Sequence, residues 1–342
     1  MTASPRFPFD PFPMGWYALG WADALAPGAL QAQQFCGEAV VLWRDHSGMA
    51  HLQGAYCPHL GADLGRGGRV DGDHLVCPFH QFRFDGSGAC VATPYDGPPP
   101  KRACLHTLPL VERNGLLLGW WHPDGAAPHF EIPAHDMDGW SPLRTVAWRL
   151  RSHPQETNEN AVDIGHFAAV HGYTDVAVTA GFAPDGPTFS ASYAMTRATR
   201  VAGVPIGDIR THFDATAFGL GYGFVTARVE AFGVESRHYV WATPRDGEHI
   251  TLMVGNQLRF TGGPVPGPLR RAVAHAIGPM VFKEYQGDVR QDWDIWENKV
   301  YAHPPALAKG DGPVGPYRQW CRQFYVDAAA GAGRNQARAA AR

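Results

Sequence analysis

The chain has 342 residues, of which 45% are apolar and 18% are charged, and its formal net charge is −3. This length predicts one large domain or two of ordinary size with a real core, and the small net charge excludes a broad basic surface for nucleic acid. Glycine and proline are abundant, with 40 and 29 residues and no period, which favours a β-rich, turn-rich chain over a helical bundle.

Cysteine usage and the N-terminal residues bear on location. Residues 1–13 contain no apolar core of a secretory signal, and no stretch approaches the ~20 apolar residues that span a bilayer. The six cysteines show no spacing typical of a disulfide framework. We therefore predict a cytoplasmic protein without a transmembrane segment.

The first part of the chain reads as short strands joined by turns. Apolar runs such as residues 38–43 are separated by turn signals, the strongest of which is the hairpin signal Asn114-Gly115. Two glycine-rich loops lie between these runs. We predict a small antiparallel β domain over about residues 35–125, with the two loops at its tips.

These loops contain Cys57-Pro-His59 and Cys77-Pro-Phe-His80. Two Cys and two His in two short loops can close around one small metal centre. Each loop supplies one residue of each kind, which suits a [2Fe–2S] cluster in which His replaces Cys on one iron, the Rieske arrangement. Zinc also takes a Cys₂His₂ set, but zinc fingers usually pair Cys with Cys and His with His. The spacing favours the cluster and leaves zinc as the alternative.

At these residues the sequence resembles the Rieske proteins, whose pattern is CxH, a spacer of similar length and then CxxH. The resemblance implies that Cys57, His59, Cys77 and His80 hold a [2Fe–2S] cluster. A Gly-Trp pair is common after the second His in relatives, and Gln81-Phe82 stands in its place here. This difference concerns the surroundings of the cluster and not its ligands.

The second half of the chain alternates strand and helix patterns. Strand-like runs cover residues 188–260, with Asp246-Gly247 as a hairpin turn. An amphipathic helix is predicted over about residues 279–301. The tail from residue 328 is rich in Ala, Gly and Arg, a composition that predicts disorder.

A shorter helix is predicted over residues 155–171, opened by Pro154 and ended by Gly172. Two His and a distant carboxylate form the facial triad of non-haem Fe(II) oxygenases. His166 and His171 would lie about 140° apart on a regular helix, so they can bind one ion only if the helix unwinds or ends between them. A purely structural helix is the alternative. The polar residues suited to metal chemistry are Asn160, Asp163, His166 and His171.

This pattern, Asn160-x₂-Asp163-x₂-His166-x₄-His171, resembles the mononuclear-iron motif of the Rieske non-haem iron oxygenases. The resemblance implies that the two histidines are iron ligands and that Asn160 and Asp163 are catalytic. It further implies a head-to-tail homotrimer, in which Asp163 bridges an iron-ligand histidine and His80 of the neighbouring subunit.

The third iron ligand is expected to be a carboxylate on the 279–301 helix. The candidates are Glu284, Asp288, Asp292, Asp294 and Glu297. In the resembled family this ligand follows Glu or Gln, and Asp292 follows Gln, so Asp292 is the predicted ligand. Asp288 and Asp294 stay open. Helical periodicity also predicts that Ile295 and Trp296, on the same face as Asp292, point inward.

The C-terminal region carries a more specific resemblance. Residues 291–300 and 317–325 are similar to the ends of the 3-ketosteroid 9α-hydroxylase oxygenase component and the cholesterol 7-desaturases, and residues 13–19 look like the start of that group. The resemblance covers about residues 10–325. It is more specific for the metal sites than for the substrate.

The resemblance implies an α+β fold in two domains. An N-terminal antiparallel β domain that holds the Rieske [2Fe–2S] cluster would span residues 1–140, with the cluster core at about 35–125. A helix-grip-like catalytic domain, built from an antiparallel sheet and helices, would follow over residues 141–327 and hold mononuclear Fe(II). Residues 328–342 would form the disordered tail.

The implied function is that of a terminal oxygenase component. It would use O₂ and receive NAD(P)H electrons from a separate ferredoxin or flavin reductase, because the chain has no GxGxxG fingerprint after a strand. It would hydroxylate or desaturate a hydrophobic steroid- or sterol-like substrate. Residues 213–232, rich in Gly, Phe and Ala, would form an apolar pocket wall or a plain sheet core.

Two other functions compete with this one. A Rieske oxygenase could instead hydroxylate or demethylate an aromatic or other small natural product. An electron carrier with only the cluster would need little beyond the β domain, so the long second half of the chain favours the enzyme.

Overall fold

The computed structural model describes residues 6–201 and 204–326, so the tail predicted to be disordered at 328–342 lies outside the described residues. The chain forms two compact units. The unit with the two predicted cluster loops, named the cluster unit, comprises Phe12–His135 together with Thr243–Gly247. The unit with the predicted iron ligands, named the catalytic unit, comprises the other described residues. Among the helices of the described ranges, none combines the length and the apolar character needed to cross a membrane.

The cluster unit is built from three antiparallel sheets, with strand orders β1-β10-β9, β2-β3-β4 and β5-β6-β7-β8. The strands are β1 Gly15–Trp21, β2 Leu30–Phe35, β3 Glu38–Arg44, β4 Ala50–Gly54, β5 Arg69–Asp71, β6 His74–Val76, β7 Arg83–Phe84, β8 Cys90–Ala92, β9 Leu110–Arg113 and β10 Leu116–Trp121. The predicted hairpin at Asn114-Gly115 is confirmed: it joins β9 to β10, and both residues have the positive φ of a type I′ turn, 56° and 77°.

Strand β3 separates two apolar cores in this unit. Successive side chains of a strand point to opposite faces. Val40 and Leu42 therefore join one core, whereas Val41 and Trp43 join the other. The second core also contains Cys57 and Cys77 of the two loops, so the loops are anchored by burial of their own cysteines.

The catalytic unit contains a seven-stranded sheet of order β11-β17-β16-β15-β14-β13-β12. Its strands are β11 Arg144–Leu150, β12 Thr174–Asp185, β13 Thr188–Val201, β14 Val204–Phe218, β15 Tyr222–Val229, β16 Val234–Pro244 and β17 Ile250–Phe260. The described helices are α1 Pro154–Glu159, α2 Gly165–Ala169, α3 Arg270–Gln291, α4 Trp293–Asn298 and α5 Val314–Cys321. Helix α3 packs its buried residues, among them Phe282 and Val289, onto the β17 side of the sheet.

The single helix predicted over residues 155–171 is wrong. The segment forms the two short helices α1 and α2, with non-helical backbone between Glu159 and Gly165. Helix α2 ends at Ala169, so the chain leaves helical geometry between His166 and His171. This is the condition under which the two histidines can approach one point.

The helix predicted over residues 279–301 also differs from its predicted bounds. It begins at Arg270. Pro279 lies inside it, on the exposed side of the helix. Proline has no N–H to donate, so one backbone carbonyl of the preceding turn lacks its helical partner on that side. It ends at Gln291, and α4 restarts after Asp292. Trp296 lies seven residues after the buried Val289 and is buried as predicted, but Ile295 is 48% exposed, which corrects the prediction that Ile295 points inward.

Candidate metal centres

The two cysteine loops of the cluster unit have the same backbone design. Cys57 donates its N–H to Ala62 O and accepts from Gly61 N, both at 2.9 Å. Cys77 repeats the pattern with Phe82 O at 2.9 Å and Gln81 N at 3.2 Å. Each loop therefore folds back on its own cysteine, five residues after it, and presents its histidine at the turn.

The side chains of the two loops converge. Cys57 and Cys77 are 2% and 1% exposed, and the ring centroids of His59 and His80 are 4.7 Å apart. The Nδ1 atom of His59 is buried and has no hydrogen-bond partner. An orphaned buried ring nitrogen beside two buried thiols is costly unless it binds something. This arrangement fits a [2Fe–2S] cluster held by two Cys and two His.

The electrostatics of the loops agree with metal binding. Burial, together with the neighbouring Cys77 thiol, raises the pKa of Cys57 to about 11. Thiols in such surroundings stay protonated until a metal replaces the proton. Cys57 is thus suited to holding a cluster and not to nucleophilic catalysis.

Gln81 and Phe82, which stand in place of the Gly-Trp pair, both contact residues of the cysteine loops. Gln81 has φ +57°, a backbone region that glycine prefers, and its side-chain amide lies 3.3 Å from Cys77 O. Phe82 stacks on the His59 ring with centroids 4.4 Å apart and planes at 8°. Phe82 therefore gives the His59 ring an aromatic support.

The catalytic unit brings three predicted residues together. His166, His171 and Asp292 each offer a ligand atom, and these atoms lie within 4.8 Å of one another. His166 lies on α2, His171 follows the end of α2, and Asp292 lies between α3 and α4. No other group of three or more His, Cys, Asp or Glu within 6–201 and 204–326 meets the same criterion.

Hydrogen bonds orient both rings. His171 Nδ1 lies 2.8 Å from Gln291 Oε1, and its Nε2 lies 3.4 Å from Asp292 Oδ2. His166 Nδ1 makes a short contact with the backbone carbonyl of Asp163. Each ring thus has Nδ1 fixed by an oxygen, which leaves Nε2 for a metal, the usual arrangement around a ligand histidine.

Burial and charge act differently on the two histidines. Burial lowers the pKa of His166. Burial also opposes the charged form of His171, but hydrogen bonds to Asp292 and Gln291 outweigh it and raise the pKa of His171. The site is a neutral imidazole beside an imidazole–carboxylate pair, which is the donor set that Fe(II) takes in a facial triad.

The other candidate carboxylates are occupied or turned away. Asp288 forms an ion pair with Arg197 at 2.8 Å. Glu284 and Asp294 are exposed, and Glu297 accepts a 3.5 Å bond from Arg151 N. Asp292 is buried, with 6% exposure. Among the described residues it is the one carboxylate whose oxygen lies within 4.8 Å of ligand atoms of both histidines.

Asn160 and Asp163 lie between α1 and α2. Asp163 is half-buried, and its Oδ1 accepts a 3.3 Å bond from His166 N. Asn160 Oδ1 accepts from the indole of Trp296 at 3.4 Å. Both residues therefore border the three-residue group without belonging to it.

Sequence reasoning missed a set of ion pairs on α1. The buried Glu156 and Glu159 of α1 pair with Lys299 and Arg318. Lys299 and Arg318 stand within the C-terminal runs whose resemblance was noted, but the sequence did not show that their partners lie on α1.

Comparisons with known proteins place both units in one family. The Rieske [2Fe–2S] domain model matches residues 15–109, and the 3-ketosteroid 9α-hydroxylase C-terminal domain model matches residues 119–325. A 3-ketosteroid-9-alpha-monooxygenase oxygenase component from Rhodococcus rhodochrous is 28% identical over 92% of this chain and 84% of its own length. A cholesterol 7-desaturase from Caenorhabditis elegans is 29% identical over 92% of this chain and 77% of its own length.

Solved structures agree in fold. Dicamba monooxygenase bound to 3,6-dichlorosalicylic acid superposes with a TM-score of 0.71 at 19% identity, over 91% of this chain and 96% of that one. The predicted fold class, an antiparallel Rieske domain followed by an α+β catalytic domain, is confirmed. The chain therefore belongs to the Rieske oxygenases whose catalytic domain is of the 3-ketosteroid 9α-hydroxylase family.

Proposed function

We propose that this oxygenase hydroxylates or desaturates a steroid- or sterol-like substrate. The observation that carries the proposal is the match of the 3-ketosteroid 9α-hydroxylase domain model to residues 119–325, which enclose the whole His/His/Asp group and its sheet. The relatives are named for a 3-ketosteroid and for cholesterol, two compounds with the same ring skeleton.

We assign the metal ligands as follows. Cys57, His59, Cys77 and His80 hold the [2Fe–2S] cluster, and a mononuclear Fe(II) is held by His166, His171 and Asp292. With three protein ligands, a bound iron keeps open positions and supplies the chemistry that activates O₂ toward an unreactive C–H bond. The role of the chain is to orient the ligands, hold the substrate and exclude water.

An apolar sheet face next to α2 supports a hydrophobic substrate. Buried Tyr193 and Met195 of β13 pack with Phe167 of α2 and Phe213 of β14. Within the predicted wall at 213–232, small apolar residues pair across strands β14 and β15: Ala217 pairs with Gly223 and Ala215 with Val225. The face is apolar, as the wall of a pocket for a hydrophobic ligand is.

Assembly as a head-to-tail homotrimer is part of the proposal. Large apolar side chains next to the cluster ligands are exposed, with Leu60 at 66% and Phe79 at 61%. A second copy of the chain would cover them and bring its Asp163 toward His80, in an interface closed by rotation. Sedimentation should show a trimer, and a monomer with full turnover would contradict this part.

Electrons would come from NAD(P)H through a separate ferredoxin or flavin reductase, with O₂ as co-substrate. All six cysteines are free of disulfides, in keeping with the predicted reducing, cytoplasmic location.

Turnover tests the proposal. Cluster-loaded and iron-loaded enzyme, a reductase, NADH and O₂ are combined with a panel of 3-ketosteroids, sterols and aromatic acids. We expect O₂-dependent product from a steroid or sterol. Product from an aromatic acid alone would overturn the substrate class and leave the oxygenase assignment standing.

A further inference from the structure

A group of four charged side chains, with buried glutamates and half-buried cations, lies in the catalytic unit. This charge cluster consists of Glu156, Glu159, Lys299 and Arg318. Lys299 Nζ lies 2.7 Å from Glu156 Oε2 and 3.5 Å from Glu159 Oε1. Arg318 binds Glu159 with two bonds, of 2.6 and 2.9 Å. Glu156 is fully buried and Glu159 is 6% exposed.

The charge cluster joins three elements that are far apart in the chain. The glutamates lie on α1, Lys299 follows α4, and Arg318 lies on α5. Arg318 also donates to Ala302 O at 2.8 Å and stacks on the Tyr301 ring at 4.3 Å. Removing charged groups from water costs desolvation energy, which hydrophobic residues at the same positions would not cost. A contribution to stability therefore does not by itself explain why charged residues stand here.

Backbone hydrogen bonds connect Glu159 of the charge cluster to the histidine-bearing segment. The backbone carbonyl of Glu159 accepts from Val162 N at 3.0 Å and from Asp163 N at 3.1 Å. The carbonyl of Asp163 in turn contacts His166 Nδ1. The position of Glu159 therefore sets where the non-helical turn begins and where the first imidazole points.

Helix α4 connects Lys299 of the charge cluster to Asp292. Asp292 O accepts from Trp296 N at 2.9 Å, and Lys299 N bonds to Ile295 O at 2.8 Å, so Lys299 closes the helix that Asp292 opens. The Trp296 indole reaches back to Asn160 at 3.4 Å. Arg6 adds bonds to the carbonyls of Trp296 and Lys299.

We propose that the charge cluster positions the mononuclear metal site by holding the histidine-bearing segment against the aspartate-bearing segment. Its four members are positioning residues and touch neither metal nor substrate. The inference rests on the proposed mononuclear site. It assigns a role at that site to Lys299 and Arg318, neither of which is a proposed metal ligand.

Metal binding tests the inference without turnover. Protein with an intact, oxidised cluster and an empty mononuclear site is titrated with Co(II) by calorimetry, and the high-spin Co(II) EPR signal is recorded. Glu159→Gln and Lys299→Met should bind Co(II) about 10- to 100-fold more weakly, as expected for groups that orient ligands. Their EPR signals should shift, and Lys299→Arg should restore much of the affinity.

A matched control separates positioning from general stability. Arg259 and Glu235 form a 2.7 Å ion pair at 32% and 16% exposure on neighbouring strands, away from both segments of the site in the chain. Arg259→Met should lower the unfolding midpoint but leave Co(II) affinity and EPR unchanged. Lys299→Arg and Glu159→Gln, which keep side-chain size, decide the question if Lys299→Met does not fold.

The outcomes distinguish this inference from the proposed function. Wild-type protein that binds no Co(II) would overturn the mononuclear site itself. Wild-type binding with unchanged affinity and EPR in Glu159→Gln would overturn only the positioning role. Weaker binding in Glu159→Gln but not in Arg259→Met would support it.

Discussion

His238 should make the catalytic unit sensitive to acid. It is half-buried on β16, where Nε2 is 2.9 Å from Ser236 Oγ and Nδ1 is 3.4 Å from the amide of Asn256. The ring of Tyr285 on α3 covers it edge-on at 4.5 Å. Burial without a nearby anion lowers the pKa of His238 to about 4.

The sign of the effect follows from linkage. The unfolded chain binds this proton with a pKa of about 6.5, whereas the folded chain does not bind it until about pH 4. Stability from neutral His238 is therefore complete above pH 6.5 and is lost as the pH falls toward 4. The loss is about 1 kcal/mol by pH 5.5 and about 3 kcal/mol by pH 4.

Denaturant unfolding at pH 7.5 and 5.5 checks this magnitude. Wild type should lose about 1 kcal/mol more than His238→Gln between the two pH values, because glutamine can keep the bond to Ser236 but does not titrate. The cluster is kept oxidised and its absorbance is followed to show that it stays bound. An equal loss in wild type and variant would refute the reasoning.

Three further predictions concern the metal centres. Cys57→Ser should abolish the Rieske EPR signal, whereas Cys36→Ser, at an equally buried cysteine of the same unit, should keep it. Asp163→Asn should keep both metals, by iron analysis, yet lose nearly all turnover; normal product formation would contradict a bridging role. Gln291→Leu should weaken Fe(II) binding about tenfold or more, measured by equilibrium dialysis, because His171 loses its Nδ1 partner; unchanged affinity would contradict that role.

Local chemistry explains what the sequence predicted well. The Cys and His of each loop lie close together in the sequence, and the loop closes on its own cysteine, so residues near Cys57 and Cys77 contain the information for that fold. The hairpin at Asn114-Gly115 is likewise encoded by residues that tolerate positive φ. Such features need little help from distant parts of the chain.

Tertiary contacts explain what the sequence left open. Asp288 and Asp292 lie one helical turn apart and have similar neighbours in the sequence. In the structure, Asp288 forms an ion pair with Arg197 of β13, a contact that the sequence does not show. Glu159, the last residue before the break between α1 and α2, binds Arg318, a partner that is distant in the sequence.

Edge strand β12 shows a second limit. Its residues Thr174–Asp185 are almost all exposed, and its pairing with β13 is irregular in three places. No alternation of apolar and polar residues therefore marks it as a strand, and a pattern search has nothing to detect.

Iron content tests the central claim most directly. Wild-type protein loaded anaerobically with Fe(II) should contain about three irons per chain, two in the Rieske cluster and one at the mononuclear site. Asp292→Ala should contain about two and keep the Rieske EPR signal unchanged. Two irons in wild type, or three in Asp292→Ala, would contradict a mononuclear iron held by His166, His171 and Asp292.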